Sequence, residues 1–157
     1  MKKILYILDK SMDYFVASIM FILLFIGGVQ VLCRYGFNYS LVWSEELSKY
    51  MLVWLVFLAM GIGLRRQAHL GMNFIVIKFS LGVQKIFGLL TCIVSMTFAV
   101  VIIYYTSQLI QVASFQTTPA LGISMALVYY GMVLGGLYLF IVGLRFFITG
   151  LLNLNQK

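Results

Sequence analysis

The carboxylates of this chain are few and are confined to its first third. Asp9, Asp13, Glu45 and Glu46 are the only acids among the 157 residues, and the 111 residues after Glu46 (157 − 46) contain none. An ion-coupled carrier or a proton relay usually keeps a carboxylate inside the bilayer, because a charge buried there is costly and is retained for a purpose. The sequence therefore argues against ion-coupled transport by this chain alone.

Other groups capable of chemistry are equally sparse. His69 is the only histidine, and it follows Arg65 and Arg66 at the predicted edge of a membrane span. Haem anchoring usually needs more histidines and a metal site needs a cluster of ligands, so we expect no cofactor and no metal. Cys33 and Cys92 lie 59 residues apart (92 − 33) and outside any CxxC motif, which does not fit a thiol–disulfide enzyme. A nucleophile would also lack a base, and we expect no enzymatic activity.

The elements that carry these residues are predicted to be membrane helices. Hydrophobic residues make up 63% of the chain and charged residues only 10%, whereas about a quarter of a soluble domain is charged. We predict one all-α membrane domain, residues 1–157, with four transmembrane helices at about 14–33, 44–64, 86–109 and 124–147. Twenty helical residues span roughly 30 Å, which is one hydrocarbon thickness.

The basic residues predict the orientation of these spans. With the N-terminus in the cytoplasm, nine basic residues fall inside and only Arg34 and Lys49 fall outside. The nine are Lys2, Lys3, Lys10, Arg65, Arg66, Lys78, Lys85, Arg145 and Lys157. This asymmetry predicts that both termini are cytoplasmic. The net charge of +7 is spread over span ends rather than clustered, so we expect no nucleic-acid partner.

Two segments are predicted to lie along the membrane surface. Residues 2–13 place their lysines, Asp9 and Asp13 on one helical face and apolar residues on the other, as in an interfacial amphipathic helix resting on lipid headgroups. A plain extension of the first span is the alternative. The cytoplasmic loop 67–85 is too apolar for water, and Lys78 argues against a fifth span, so we predict a second interfacial or partner-covered helix there.

The hairpin between the first two spans carries the most specific charge pattern. Ser44 is predicted to be the N-cap of the second span, with Glu45 and Glu46 favouring the positive end of that helix. Arg34 ends the first span about ten residues earlier. The charges either act separately at the helix ends or form an Arg34–Glu46 pair that fixes the hairpin or docks a partner. Glu45 and Lys49, spaced i and i+4, are predicted to pair locally.

Aromatic and small residues indicate packing surfaces. Aromatic side chains gather at the predicted outer interface as a belt would, namely Tyr35, Phe37, Tyr39 and Trp43. In the fourth span, Gly131 and Gly135 form a GxxxG motif that lets another helix approach closely, without identifying that helix.

Taken in order, these features resemble the small membrane subunit of tripartite ATP-independent periplasmic (TRAP) transporters. The residues that carry the resemblance are Arg34-Tyr35, Asn38, Trp43-Ser44-Glu45-Glu46-Leu47, Trp54, Phe57, Gly61, Arg65, His69 and Pro119-Ala120-Leu121-Gly122-Ile123. Length, four spans and inside termini agree with it, so the resemblance covers nearly the whole chain. Asn73 departs from the pattern, since an acid is expected a few positions after the histidine.

The resemblance implies a function that depends on partners in a bacterial inner membrane. In this family a large permease subunit holds the solute and sodium sites and moves like an elevator, and a periplasmic binding protein delivers an organic acid such as a C4-dicarboxylate or a sialic acid. The small subunit resembles a stator that anchors the scaffold. Candidates for structural or partner contacts are Arg34, Trp43, Glu45, Glu46, Arg65, His69, Gly131 and Gly135.

Two other functions remain open at this point. The chain is alternatively an autonomous four-helix transporter that dimerises through the GxxxG motif of the fourth span. It is alternatively a membrane anchor for a redox complex.

Overall fold

The computed structural model describes residues 2–66 and 81–154, and in these ranges the chain is built from four long helices. They are α1 (Lys2–Gly36), α2 (Val42–Arg65), α3 (Leu81–Ala113) and α4 (Ala126–Leu154). Each contains a stretch that is long and apolar enough to cross a membrane. The only β-type pairing in the described residues is an isolated bridge between Thr117 and Ser124. The predicted fold class, an all-α protein with four membrane helices, is confirmed.

Helix α1 differs from the prediction because it is continuous. It runs for 35 residues, about 50 Å at 1.5 Å per residue, which exceeds one hydrocarbon thickness. No glycine or proline occurs before Gly27, so nothing in the backbone separates residues 2–13 from the span. The structure thus shows an extension of the first span in place of a separate interfacial helix. The other surface helix was predicted for residues 67–85, of which 67–80 lie outside the described residues.

The start of α2 also differs from the prediction. The helix begins at Val42 after Leu41, which provides no side-chain cap. Ser44 lies inside the first turn, fully buried, and its hydroxyl donates to the carbonyl oxygen of Leu41 at 2.7 Å. The serine is therefore a first-turn residue that bonds back to the preceding turn, and the prediction that it caps the helix is wrong.

The helices lie in the spatial order α1, α2, α4, α3. Helix α4 packs against both α2 and α3, α1 packs against α2, and the described residues show no packing of α1 against α3. Accordingly, 39% of the most apolar stretch of α4 is buried, against 17% for α2 and 11% each for α1 and α3. The core, Leu64, Ala99, Tyr138, Leu139 and Val142, lies along α4.

Glycines of α4 permit this close packing. A Cβ on Gly131 would lie 2.5 Å from the Trp54 ring, and a Cβ on Gly135 would lie 2.5 Å from the backbone of Phe57. Both neighbours belong to α2, and the indole nitrogen of Trp54 donates to the carbonyl of Leu127 at 3.1 Å. The GxxxG face is thus covered within the chain. The GxxxG face is therefore not available for the homodimer contact that the alternative hypothesis requires.

The antiparallel helices give the molecule two distinct ends. We call the end that holds the first residues of α1 and the last residues of α4 the termini end. The opposite end holds the connections 37–41 and 114–125, and we call it the loop end. Polar side chains join different helices at each end, and these two groups are the candidate site.

Candidate functional site

At the termini end, three arginines and two aspartates form a continuous ionic network. Arg65 lies between both acids: its guanidinium contacts Asp13, and its Nη1 lies 3.6 Å from Oδ1 of Asp9. Arg66 Nη2 lies 3.5 Å from the same Asp13 oxygen. Arg145 donates to Oδ2 of Asp9 at 2.8 Å. Charges therefore alternate along the network, which joins α1, α2 and α4.

Asp9 is the centre of this network. Besides the two arginines, it accepts a hydrogen bond of 3.2 Å from the hydroxyl of Tyr138, whose side chain is 2% exposed in the core. The Asp9 side chain itself is only 13% exposed. A shielded carboxylate needs such partners, because its desolvation would otherwise be unfavourable. The network thus links the surface of the termini end to the buried core.

The sequence explains how these groups meet. Asp9 and Asp13 are four residues apart and therefore share one face of α1. Arg65 is the last residue of α2 and Arg66 its C-cap, whose backbone N–H donates to the carbonyls of Ile62 and Leu64. Sequence reasoning assigned Arg65 to the helix end but placed both aspartates among lipid headgroups. The signal that was missed is the i, i+4 acid pair facing an arginine pair at the end of the next span.

At the loop end, Glu46 joins α2 to the connection between α3 and α4. Its Oε1 accepts a hydrogen bond of 2.7 Å from the hydroxyl of Tyr50, and its Oε2 accepts one of 2.6 Å from the backbone N–H of Ala120. The residue is only 8% exposed. A single carboxylate thereby fixes a loop 74 positions away in sequence.

The loop that Glu46 holds has internal order of its own. The backbone N–H of Thr118 donates to the carbonyl of Ile123 at 2.9 Å, and the N–H of Ile123 donates to the Thr118 hydroxyl at 3.1 Å. Gly122 adopts a φ of +65°, a conformation that glycine reaches without strain. Residues 118–123 therefore form a tight turn, and this turn presents the Ala120 N–H to Glu46.

Other predicted contacts of the hairpin are not formed. Arg34 is exposed and makes no ion pair with any described residue, so the structure contains no Arg34–Glu46 pair. Glu45 accepts a hydrogen bond of 3.2 Å from the amide of Gln30, and no pair with Lys49 is formed. The carboxylate of Glu46 instead faces the α3–α4 loop, because that loop supplies a backbone donor.

The remaining predicted residues lie apart from both groups. Trp43 is exposed at the loop end, together with Tyr35, Phe37 and Tyr39. His69 lies outside the described residues. Within residues 2–66 and 81–154, no group of three His, Cys, Asp or Glu side chains is close enough to hold a metal ion.

An open groove of about 370 Å³ lies between α3 and α4. Its lining is apolar apart from Thr97, whose hydroxyl donates to the carbonyl of Ile93 at 3.0 Å. A charged solute would find no free polar partner on these side chains. Chemically, the two polar groups are suited to holding helices and a loop in place, and neither resembles a solute or ion site.

The sequence of this chain is similar to those of known proteins. Residues 14–153 match the sequence profile of the DctQ component of tripartite ATP-independent periplasmic transporters. Two TRAP transporter small permease proteins of Haemophilus influenzae are 24% and 27% identical over 137 and 141 residues, which cover 87% and 89% of this chain and 85% and 86% of theirs. A C4-dicarboxylate TRAP transporter small permease protein of Pseudomonas aeruginosa is 35% identical over 60 residues, 38% of this chain and 29% of that protein.

The profile match runs from the middle of α1 to the end of α4 and includes both polar groups except Asp9 and Asp13. The ordered series of residues noted in the sequence, four membrane helices and the extent of this match lead to one conclusion. The chain belongs to the DctQ family, the small permease component of TRAP transporters.

Proposed function

We propose that this chain is the stationary scaffold of a TRAP transporter, while a large permease subunit carries the solute and the coupling ions. The observation that carries this proposal is the state of the four carboxylates. Asp9 and Asp13 are paired with arginines, Glu46 is bonded to Tyr50 and Ala120, and Glu45 accepts from Gln30. A carboxylate already engaged in structural contacts is poorly placed to bind and release a cation during transport.

The uncovered faces of α1 and α3 support assembly with a larger membrane subunit. Large apolar side chains are exposed along much of the described part of both helices, among them Phe21, Leu24 and Phe25 of α1 and Val94, Phe98 and Val101 of α3. Lipid can cover such faces, and so can another membrane protein. Because α4 already packs against α2 and α3, we propose that a partner subunit docks on the outer helices α1 and α3.

The finer properties follow from the family and from the charge pattern. We propose that the transporter takes up an organic acid with sodium, such as a C4-dicarboxylate or a sialic acid, delivered by a periplasmic binding protein. Relatives from Pseudomonas aeruginosa and Vibrio cholerae are named as C4-dicarboxylate permease proteins. The inside-positive pattern favours an inner-membrane protein with both termini in the cytoplasm.

Reconstitution tests the scaffold role directly. Liposomes would contain this chain alone, the large permease subunit alone, or both, each supplied with the binding protein, a labelled organic acid and a sodium gradient. We expect sodium-dependent uptake only when both subunits are present. Reproducible uptake by this chain alone would show that the solute pathway lies here and would overturn the proposal.

A further inference from the structure

The ionic network of the termini end carries one more positive charge than negative charge. Its order is Arg66, Asp13, Arg65, Asp9, Arg145, so cations stand at both ends. Arg65, between the two acids, is 17% exposed and is neutralised by them. The surplus charge therefore resides on the two terminal arginines.

These terminal arginines retain unused hydrogen-bonding capacity. Arg66 is 65% exposed, and its one ion pair in the described structure is the 3.5 Å contact with Asp13. Arg145 is 36% exposed and uses Nη1 for Asp9. A guanidinium offers five N–H donors in a planar fork that fits a phosphate group. Most of the Arg66 side chain is therefore accessible to a ligand from outside the described structure.

The location of Arg66 restricts what can reach those donors. The candidate membrane span of α2 ends at Arg65, so we expect Arg66 to lie near the level of the lipid headgroups. Its backbone is held by C-cap hydrogen bonds to Ile62 and Leu64. The backbone of Arg66 is therefore held at the end of the span, where we expect lipid phosphates to lie.

We infer that the termini end binds an anionic phospholipid, with Arg66 as the main ligand of its phosphate and Arg145 as a second contact. The net positive charge of the network favours a lipid with an overall negative charge. The ammonium group of a zwitterionic lipid would be repelled by the same arginines. This inference does not rest on the scaffold role.

The test uses the full chain, purified in detergent together with its large permease subunit and then stripped of lipid. Phosphatidylglycerol or phosphatidylethanolamine is added back, and bound lipid is counted by native mass spectrometry. We expect Arg66→Gln to lower phosphatidylglycerol retention about fivefold, and Arg145→Gln to lower it less. Arg34→Gln, at the loop end, is the matched control and should change nothing. Asp13→Asn removes an acid and should raise retention.

Four results would overturn the inference. The first is an equal loss of bound phosphatidylglycerol in Arg66→Gln and Arg34→Gln. The second is equal retention of both lipids by the unsubstituted protein. The third is that Arg66→Gln retains lipid normally but loses the large subunit. This third result would indicate that Arg66 pairs with a carboxylate of the large subunit. Displacement of phosphatidylglycerol by millimolar inorganic phosphate would identify a general phosphate site and would also contradict a lipid-specific one. If the Asp13→Asn variant does not accumulate, the comparison of Arg66→Gln with Arg34→Gln still tests the inference.

Discussion

The two ends of the molecule hold helices and a loop together through different interactions. Both must join elements distant in sequence at the boundary of a membrane. The termini end does so with five charged side chains from three helices, in which every acid faces at least two arginines. The loop end does so with one carboxylate, Glu46, whose partners are a tyrosine hydroxyl and a backbone N–H.

The contacts at the termini end therefore depend on opposite charges, whereas those at the loop end depend on the placement of hydrogen-bond donors. At the termini end the arginines outnumber the acids, so the joint still presents positive charge to its surroundings. At the loop end the neutral donors leave the charge of Glu46 uncompensated by any described cation, and the joint relies on the correct placement of the Ala120 N–H. Substitutions should therefore affect the ends independently, unless they disturb the helix pair that connects them.

The largest effect is expected from Gly135→Leu, which acts on both ends at once. The new side chain would collide with the backbone of Phe57 and force α2 and α4 apart. We expect a loss of at least about 3 kcal/mol in unfolding free energy, measured by thermal unfolding in detergent. Gly63→Leu is the control, because nothing lies within 4 Å of its Cβ position. Equal destabilisation by both changes would contradict tight α2–α4 packing.

A smaller effect is expected from Asp9→Ala, which acts on the termini end. Arg65, Arg145 and Tyr138 would lose a shared acceptor. We expect a loss of about 2 kcal/mol, below the value for a fully buried pair because the Arg145 side chain is 36% exposed. Thermal unfolding provides the measurement, with Lys10→Ala in the same helical turn as the control. Identical melting of the two variants would show that the network contributes no stability.

A local effect is expected from Glu46→Ala, which acts on the loop end. Without the acceptor for Ala120, the turn around Pro119 and Gly122 should open more often. Hydrogen exchange of residues 117–124 should accelerate by about tenfold or more, with little change at the termini end. Glu45→Ala, which removes only an exposed contact with Gln30, is the control. Exchange rates that rise equally in both variants would argue against the Glu46 contact.

The smallest effect is expected from Arg34→Ala. Since Arg34 is exposed and has no ion pair among the described residues, unfolding free energy should change by less than about 0.5 kcal/mol. The same exchange experiment gives a direct comparison with Glu46. If Arg34→Ala accelerated exchange of residues 117–124 as much as Glu46→Ala, an Arg34–Glu46 pair would exist in solution after all.

Much of the fold could be predicted because membrane insertion depends on local composition. Runs of about twenty apolar residues identify the spans without any knowledge of their neighbours. The helices extend past the predicted limits, and α4 continues to Leu154 because backbone hydrogen bonding continues after its apolar stretch ends at Gly150. The break between residues 2–13 and the first span was predicted from a polar face, but the acids on that face turn towards α2 and α4.

The sequence by itself determined that this is a four-helix membrane protein, that it has no acid beyond Glu46, and that it resembles a TRAP small permease subunit. These conclusions need only composition, hydropathy and an ordered series of residues. Tertiary structure decided which partner each acid contacts. Asp9 contacts Arg145, which is 136 residues away in sequence, and Glu46 contacts Ala120, which is 74 residues away. The acids have several possible cations and neutral donors within the chain, and only the packing of the helices about α2 brings particular ones within bonding distance.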